Sequence, residues 1–343
     1  MDSVAPGGGV RVIFDQARAL NRKGNKVKIR TLGGDPQWYP YPVDVDLVER
    51  LDQPFKEDAI PDVVIATYWT TVEPAISIGA PVVLHLCQGF EADFPELAEN
   101  HSAIMEAYLR PIPKLTVGPW LADRLETVFG TKSFSIYVIG QCVDTALYKP
   151  GKLSIKWYFP KFLRLRMPWN ILVIGDYAIS CKGVSDSLQA VGVLRKMLPR
   201  VCLTRISMHP RNEEENKITR VNFSFVRVPP GDMAKFYQRA DFMISMSLPS
   251  EGFGLPAAEA MACGCPVVLT RIPSYLSFDQ SNDYATFVDI HDSEEAAASI
   301  FNLIANRALC FNQRHAALKM VRNNFCADNV ADHIEKIIYE QRQ

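Results

Sequence analysis

Four short apolar runs in the second half of the chain, NILVIG (170–175), VCLTRISM (201–208), DFMISMSL (241–248) and CPVVLT (265–270), are separated by helix-type stretches such as VSDSLQAVGVLRKML. Runs of this length and near-continuous hydrophobicity suit strands buried on both faces, and strands alternating with helices imply a parallel sheet. The same pattern occurs once before. VRVIFDQARALNRKG (10–24) sets Val10, Ile13, Phe14, Ala17 and Leu20 on one helical face, with Gly24 as a stop signal. NKVKIRTL then alternates as a strand, and DVVIATY (62–68) and APVVLHL (80–86) are again of buried-strand type. Two successive α/β units follow, joined near 149–168, and 343 residues at 48% hydrophobic content suffice for two cores. From residue 292 onward the chain reads as mostly helical, ending in VADHIEKIIYEQRQ.

Composition narrows the function. A formal charge of -1 gives no global basic field, so nucleic acid is not an expected partner. The eight cysteines are scattered without a CxxC pair, which indicates neither a zinc site nor a disulfide framework and fits a reducing compartment. The start MDSVAPGGGV has no leader pattern, and no run of 18 apolar residues occurs, so a cytoplasmic protein without a membrane span is expected. One local exception is GKLSIKWYFPKFLRLRMPW (151–169), which carries Lys152, Lys156, Lys161, Arg164 and Arg166, five aromatics and no acid. It reads either as an interdomain linker whose aromatics tuck into a crevice, or as a peripheral contact with the inner membrane face, each basic residue adding about 1 kcal/mol on an anionic surface.

The densest chemical signal is SEGFGLPAAEAMACGCPVVL (250–269), flanked by the strands DFMISMSL and CPVVLT. SEGFG is therefore a strand-to-helix loop, with the helix starting at Leu255 or Pro256, where proline's missing N–H is not needed. A helix start offers unpaired N–H groups and about half a positive charge, and Gly252 and Gly254 let an anion approach them. Gly7, Gly8 and Gly9 repeat the arrangement before the first helix. Glu251 and Glu259 flank the anion site, and a carboxylate accepts hydrogen bonds from two neighbouring hydroxyls at once, so the spacing suits a nucleotide-sugar. A capped surface helix, with Glu259 stabilising the helix dipole, is the plainer alternative.

SEGFGLPAAEAMACGCPVV resembles the E-x7-E signature of glycosyltransferase family 4, retaining enzymes of the GT-B fold, in which two Rossmann-like α/β domains face each other across a cleft. GGGVRVIFDQARALNRKGNKV resembles the family's first glycine loop and helix, GPWLADRLETVFG and VIGQCVDTALYKP the segment closing the first domain, and CKG (181–183) its Lys-Gly. HLCQGFE (85–91) resembles a variant in rhamnosyltransferase-like members. The resemblance implies an N-terminal acceptor domain over 1–150, a linker over 151–168, a donor domain over 169–325, and a C-terminal helix over 326–343 that crosses back to the first domain. It also implies transfer of a sugar from a nucleoside diphosphate sugar, a co-substrate, to a hydroxyl on a glycan, polysaccharide or lipid-linked acceptor, with no metal or other cofactor. Glu251 would bind donor-sugar hydroxyls, Phe253, Gly254 and Leu255 the diphosphate, Glu259 the ribose, and Lys182 would neutralise the leaving diphosphate. His85, following a buried strand, would be catalytic as a family histidine is, or else a structural residue at a strand end, with Gln88 and Glu91 as rival candidates; Gly8, Gly9, Gln88 and Glu91 would bind on the acceptor side.

Three departures from the family pattern bear on this. Where an arginine is common after the glycine of VIG, this chain has Asp176 or Tyr177, so Arg205, Arg211 or Arg227 would have to supply the cation, Arg227 being taken as a binding residue. Gln141-Cys142-Val143-Asp144 stands for the usual Asn-Gly-Val-Asp, and Ile272-Pro273-Ser274 for a Gly-Gly. Family members normally begin with an apolar strand before the first glycine loop and this sequence offers only MDSVAP, so either its start is truncated or the first sheet is one strand short, the latter exposing its neighbours unless another segment replaces it. The single Asp-x-Asp, Asp44-Val45-Asp46, reads as a solvated strand edge and not as a metal site. A non-catalytic nucleotide-sugar-binding or partner subunit of the same fold is the alternative function.

Overall fold

The computed structural model describes residues 1–54, 60–130 and 134–342. The chain forms two compact units, one of Met1–Cys142 together with the chain from Phe325 onward, the other Val143–Asn324. The crossing at 142/143 replaces the expected linker at 151–168, and those residues lie inside the second unit.

In the first unit, β1 (Ile29–Thr31) pairs in parallel with β2 (Val45–Leu47), and β3 (Val63–Ala66), β4 (Val82–Cys87), β5 (Lys114–Thr116) and β6 (Ile136–Val138) form a separate four-stranded parallel sheet in chain order. Helices α1 (Gly8–Arg22), α2 (Val72–Ser77), α3 (His101–Leu109) and α4 (Pro119–Phe129) supply the crossovers that parallel strands require. The residues ahead of α1 pair with β1. The Met1 ammonium donates to the Arg30 carbonyl at 2.7 Å, Leu32 N–H donates to the Met1 carbonyl at 3.3 Å, and Val4 N–H to that of Gly33 at 2.9 Å. Residues 1–4 thus lie along β1 with a parallel-bridge pattern, and Val4 is buried with Phe14, Ala17, Ile29 and Tyr39. On the other side Thr70, in the turn after β3, donates its hydroxyl to Asp2.

The second unit opens with α5 (Lys161–Arg164), followed by β7 (Trp169–Ile174), α6 (Val184–Met197), β8 (Val201–Ser207), α7 (Glu213–Ile218), β9 (Phe223–Val226), α8 (Pro230–Arg239), β10 (Phe242–Ser245), α9 (Leu255–Ala262), β11 (Val267–Thr270), α10 (Pro273–Leu276), β12 (Thr286–Val288), α11 (Ser293–Ala305) and α12 (Arg307–Asn324). Its six strands are all parallel in the order β12-β11-β10-β7-β8-β9. The runs read as strands are buried as expected, with Ile171, Val173, Leu203, Phe242, Ile244 and Val268 in one core. Trp157 joins that core, against Trp169 at 5.2 Å and Phe311 at 5.6 Å between ring centroids, so the supposed linker is anchored structure. The final helix α13 (Ala327–Gln341) belongs to the first unit, where Val330, Ala331, Ile334 and Ile337 pack with Ala19, Leu20, Leu84 and Leu115. Lys23 fixes it by ion pairs to Asp332 at 2.5 Å and Glu335 at 3.2 Å.

Strand order in the second sheet reverses between β7 and β10, because the chain runs outward through β8 and β9 and then returns to the other side of β7. Loops leaving the carboxyl ends of two such strands diverge and leave a crevice, the usual ligand position in sheets of this type. Gly183 brings the two loops together. It has φ +53°, and a Cβ there would lie 1.6 Å from the Met246 carbonyl oxygen. Gly183→Ala is expected to destabilise the second unit by at least about 3 kcal/mol, from left-handed backbone strain plus the clash. Urea denaturation of the variant checks this, and a loss below about 1 kcal/mol would contradict the close approach.

Candidate functional site at the second sheet's switch point

Lys182 ends the loop after β7, and Glu251 lies in the loop after β10. Lys182 Nζ donates to both carboxylate oxygens of Glu251, at 2.9 Å and 3.0 Å. The Glu251 side chain is 6% exposed and that of Lys182 30%, so the carboxylate is built in while part of the lysine side chain reaches solvent. Burial alone would lower the lysine's pKa, but the Glu251 charge outweighs it and the net shift is upward, keeping the group cationic. Ser247 donates to Glu251 Oε2 at 3.2 Å, and the Tyr275 hydroxyl lies 2.8 Å from Ser245 Oγ and 2.9 Å from Ser247 Oγ. The backbone ties the loops as well. Leu248 N–H donates to the Cys181 carbonyl at 2.8 Å, and Met246 N–H to Ser187 Oγ at 3.1 Å.

Helix α9 starts at Leu255, directly after Gly254, whose φ of +80° places it in the left-handed region. A Cβ on Gly254 would lie 2.0 Å from the Tyr275 ring, so glycine is required by conformation and by contact. No side chain caps this helix, and Pro256 in its first turn has no N–H. The helix start with its partial positive charge therefore stands beside the Lys182–Glu251 pair. Glu259, one turn further on, is buried, and Tyr237 donates to its Oε2 at 2.7 Å. The expected residues Lys182, Glu251, Gly252, Phe253, Gly254, Leu255 and Glu259 are thus gathered by one pair of loops and one helix.

The departure at Asp176 has a structural use. Its Oδ1 accepts from the Met208 and His209 N–H groups at 3.0 and 3.2 Å, which holds the loop after β8. Of the arginines considered for the missing cation, Arg205 is fully buried and spent on Glu215 at 2.7 Å. Its guanidinium has no exposed surface to offer an anion, which removes it from the site. Arg227 is exposed at the end of β9, with φ +54°, and its Nε donates to the Met208 carbonyl at 3.2 Å. It shares the loop that Asp176 organises. Such a φ is uncommon for a residue with a long side chain and recurs at functional positions.

In the first unit, Gly8 and Gly9 form the first turn of α1, and Gln88 Nε2 donates to the Gly9 carbonyl at 3.2 Å. The acceptor-side candidates split at this point. Glu91 is buried and accepts from the Tyr108 hydroxyl at 2.5 Å, with burial raising its pKa, so it serves packing between its loop and α3. His85 is likewise buried, with 0% exposure, because β4 continues to Cys87 and the residue lies inside the strand and not at its end. Its ring stacks at 4.8 Å on Tyr108, and neither ring nitrogen has a hydrogen-bond partner among the described residues. Burial, with the nearby Lys114 charge second, pulls its pKa down to about 3. A ring with no exposed surface cannot touch an acceptor, so the expected catalytic role is corrected to a core position.

Sequence reasoning missed Ser245, Ser247, Tyr275 and Tyr237. The two serines were legible as alternate positions on one strand face in DFMISMSL; the tyrosines carry no local signal.

Residues 168–306 match the family model described as Glycosyl transferases group 1. The chain is similar to the D-inositol 3-phosphate glycosyltransferase of Acidothermus cellulolyticus, 36% identical over 62% of this chain and 50% of that protein. It is also similar to the MMP alpha-(1->4)-mannosyltransferase of Mycolicibacterium hassiacum, 28% identical over 62% of this chain and 51% of that one. The chain spans about half the length of these relatives. Among solved structures, Anabaena HepE in complex with UDP-glucose matches with a TM-score of 0.76 at 14% identity, covering 99% of this chain and 98% of that chain. Sucrose-phosphate synthase from Thermosynechococcus elongatus gives 0.72 at 16% identity, covering 99% and 95%. The fold is GT-B, and the group 1 glycosyltransferase match falls within the second unit.

The neutral buried His85 makes the fold acid-sensitive. With its folded pKa depressed, the unfolded chain takes up a proton below pH 6.5 that the folded chain refuses until about pH 3, so stability is lost as pH falls through that window. Between pH 6.5 and pH 5 wild type is expected to lose about 2 kcal/mol more than His85→Leu, read from denaturant midpoints at both values. Equal losses in the two proteins would show that the ring is not held neutral.

Proposed function

We propose that this chain transfers a sugar from a nucleoside diphosphate sugar to a hydroxyl of a glycan or lipid-linked acceptor. The observation that carries the reading is the bidentate Lys182–Glu251 pair beside the uncapped start of α9. A cation and a helix amino terminus receive the diphosphate, and the adjacent carboxylate receives the sugar hydroxyls. The group 1 family match over this segment and the structural likeness to a protein holding UDP-glucose support the choice of donor class.

In the proposed step the acceptor oxygen attacks the anomeric carbon from the face that the diphosphate leaves. The carbon–oxygen bond to the diphosphate breaks with its electron pair staying on the diphosphate, and the hydroxyl proton passes to a diphosphate oxygen. The anomeric configuration is then retained, and no side-chain nucleophile or base is needed. Lys182, the α9 start and Arg227 stabilise the charge that develops on the leaving group, an electrostatic contribution that does not call for a metal. Glu259 holds the ribose. Gly8, Gly9 and Gln88 contribute on the acceptor side.

One observation favours a second reading, a non-catalytic nucleotide-sugar-binding subunit: an acid, Asp176, stands where family 4 members often carry a cation, and it is spent on the loop after β8. Turnover separates the two. With uridine, guanosine, thymidine and adenosine diphosphate sugars tested in turn, free nucleoside diphosphate is expected only when a hydroxyl acceptor is present, at a rate unaffected by EDTA. Glu251→Gln should lower kcat/KM about 100-fold, the scale of losing one transition-state contact. Unchanged turnover in Glu251→Gln would overturn the donor role, and nucleotide-sugar binding without turnover across acceptors would support the second reading.

A further inference from the structure

Residues 145–175 and 296–327 contain no aspartate or glutamate, while each carries several lysines and arginines. The fold packs these two acid-free stretches together. Arg164 Nε donates to the Ile304 carbonyl and Nη2 to that of Ala305, both at 3.1 Å, and Trp157 stacks on Phe311. The nearby acid from another element, Asp241, is buried and paired with Lys156 at 2.6 Å. Neither stretch supplies an acid to balance its own positive charge.

The same face exposes large apolar side chains. Ile155 is 71% exposed, Tyr158 67% and Phe162 63%, with Leu153, Phe159, Leu163 and Leu309 also open. Ile155 and Tyr158 are three apart in a 3-10 turn (Ile155–Tyr158), a spacing that puts them on one side. Their backbone does not float, because Trp157 and Arg164 of the same segment are sunk in the core. Exposed Lys152, Lys161, Arg166 and Arg307 accompany them, the Arg307 guanidinium lying 5.4 Å from the Tyr158 ring centroid. Large apolar side chains exposed this densely along one anchored segment mark an interaction surface. Its basic surround selects the partner, since aromatic and aliphatic side chains among lysines and arginines match the acyl boundary and phosphates of an anionic bilayer.

We propose that the face formed by residues 151–166 and the start of α12 docks the protein on an anionic lipid surface, with Ile155, Tyr158 and Phe162 entering the headgroup boundary and Lys152, Lys161, Arg166 and Arg307 meeting lipid phosphates. No described helix is long and apolar enough to cross a membrane, so this contact lies on the bilayer and does not span it. The surface is separate from the Lys182–Glu251 site and does not depend on its activity.

Vesicle flotation of the full chain tests the proposal. Phosphatidylglycerol–phosphatidylcholine vesicles should carry the protein and pure phosphatidylcholine vesicles should not, and raised salt should weaken the association. Ile155→Ser with Phe162→Ser should reduce vesicle partitioning at least about tenfold, and Lys161→Glu with Arg166→Glu should do the same while leaving the apolar residues in place. The two pairs keep the test open if one variant fails to fold, as judged by thermal denaturation. No flotation, equal flotation with neutral vesicles, or a protein dimer that Phe162→Ser dissociates would each overturn the assignment.

Discussion

The Lys182–Glu251 pair is the interaction on which the second unit's crevice depends. It joins loops from the two strands between which the sheet reverses order, and the carboxylate is buried. Removing the lysine would leave a buried charge without its counterion, a loss of about 3–5 kcal/mol for pairs of this kind. The surrounding structure is consistent with that demand. Gly183 lets one loop reach the Met246 carbonyl, Gly254 lets the other reach the Tyr275 ring, and Ser247 supplies a further donor to the carboxylate. Glycine is needed at both positions for steric reasons, so the loops' apparent bareness is a packing requirement.

The first unit solves a different problem. Among the described strands β1 and β3 each stand at the edge of a separate sheet, and unpaired edges are costly when buried. Residues 1–4 satisfy part of the β1 edge by backbone hydrogen bonds and fill space with Val4. Helix α13 contributes the apolar face of Val330, Ile334 and Ile337 from the far end of the chain.

The fold was legible where elements announce themselves locally. NILVIG, VCLTRISM and CPVVLT are apolar runs with no other plausible home, and all became strands. Strands β5, β6 and β12 are three residues long and carry no period to read, and β9 is exposed at all four positions, so pattern reasoning passed over them. The site was legible in its contiguous part, because Glu251 to Glu259 lie in one loop and one helix. It was not legible where contacts span the chain: Tyr275 reaches Ser245 across 30 residues and Tyr237 reaches Glu259 across 22. His85 misled because the apolar run ends at Leu86 while the strand runs through Cys87. Segment 151–169 misled because Trp157 and Arg164 anchor it through partners far away in sequence.

The central claim is that Lys182 reads the diphosphate and Glu251 reads the sugar. Isothermal titration of a nucleoside diphosphate and of its sugar conjugate into wild type, Lys182→Met and Glu251→Gln separates these roles. The account predicts that Lys182→Met weakens both ligands by about tenfold or more, the worth of a charged hydrogen bond. It predicts that Glu251→Gln weakens the sugar conjugate while leaving the free diphosphate within about threefold of wild type. Equal weakening of both ligands by Glu251→Gln, or no effect of Lys182→Met on either, would contradict it.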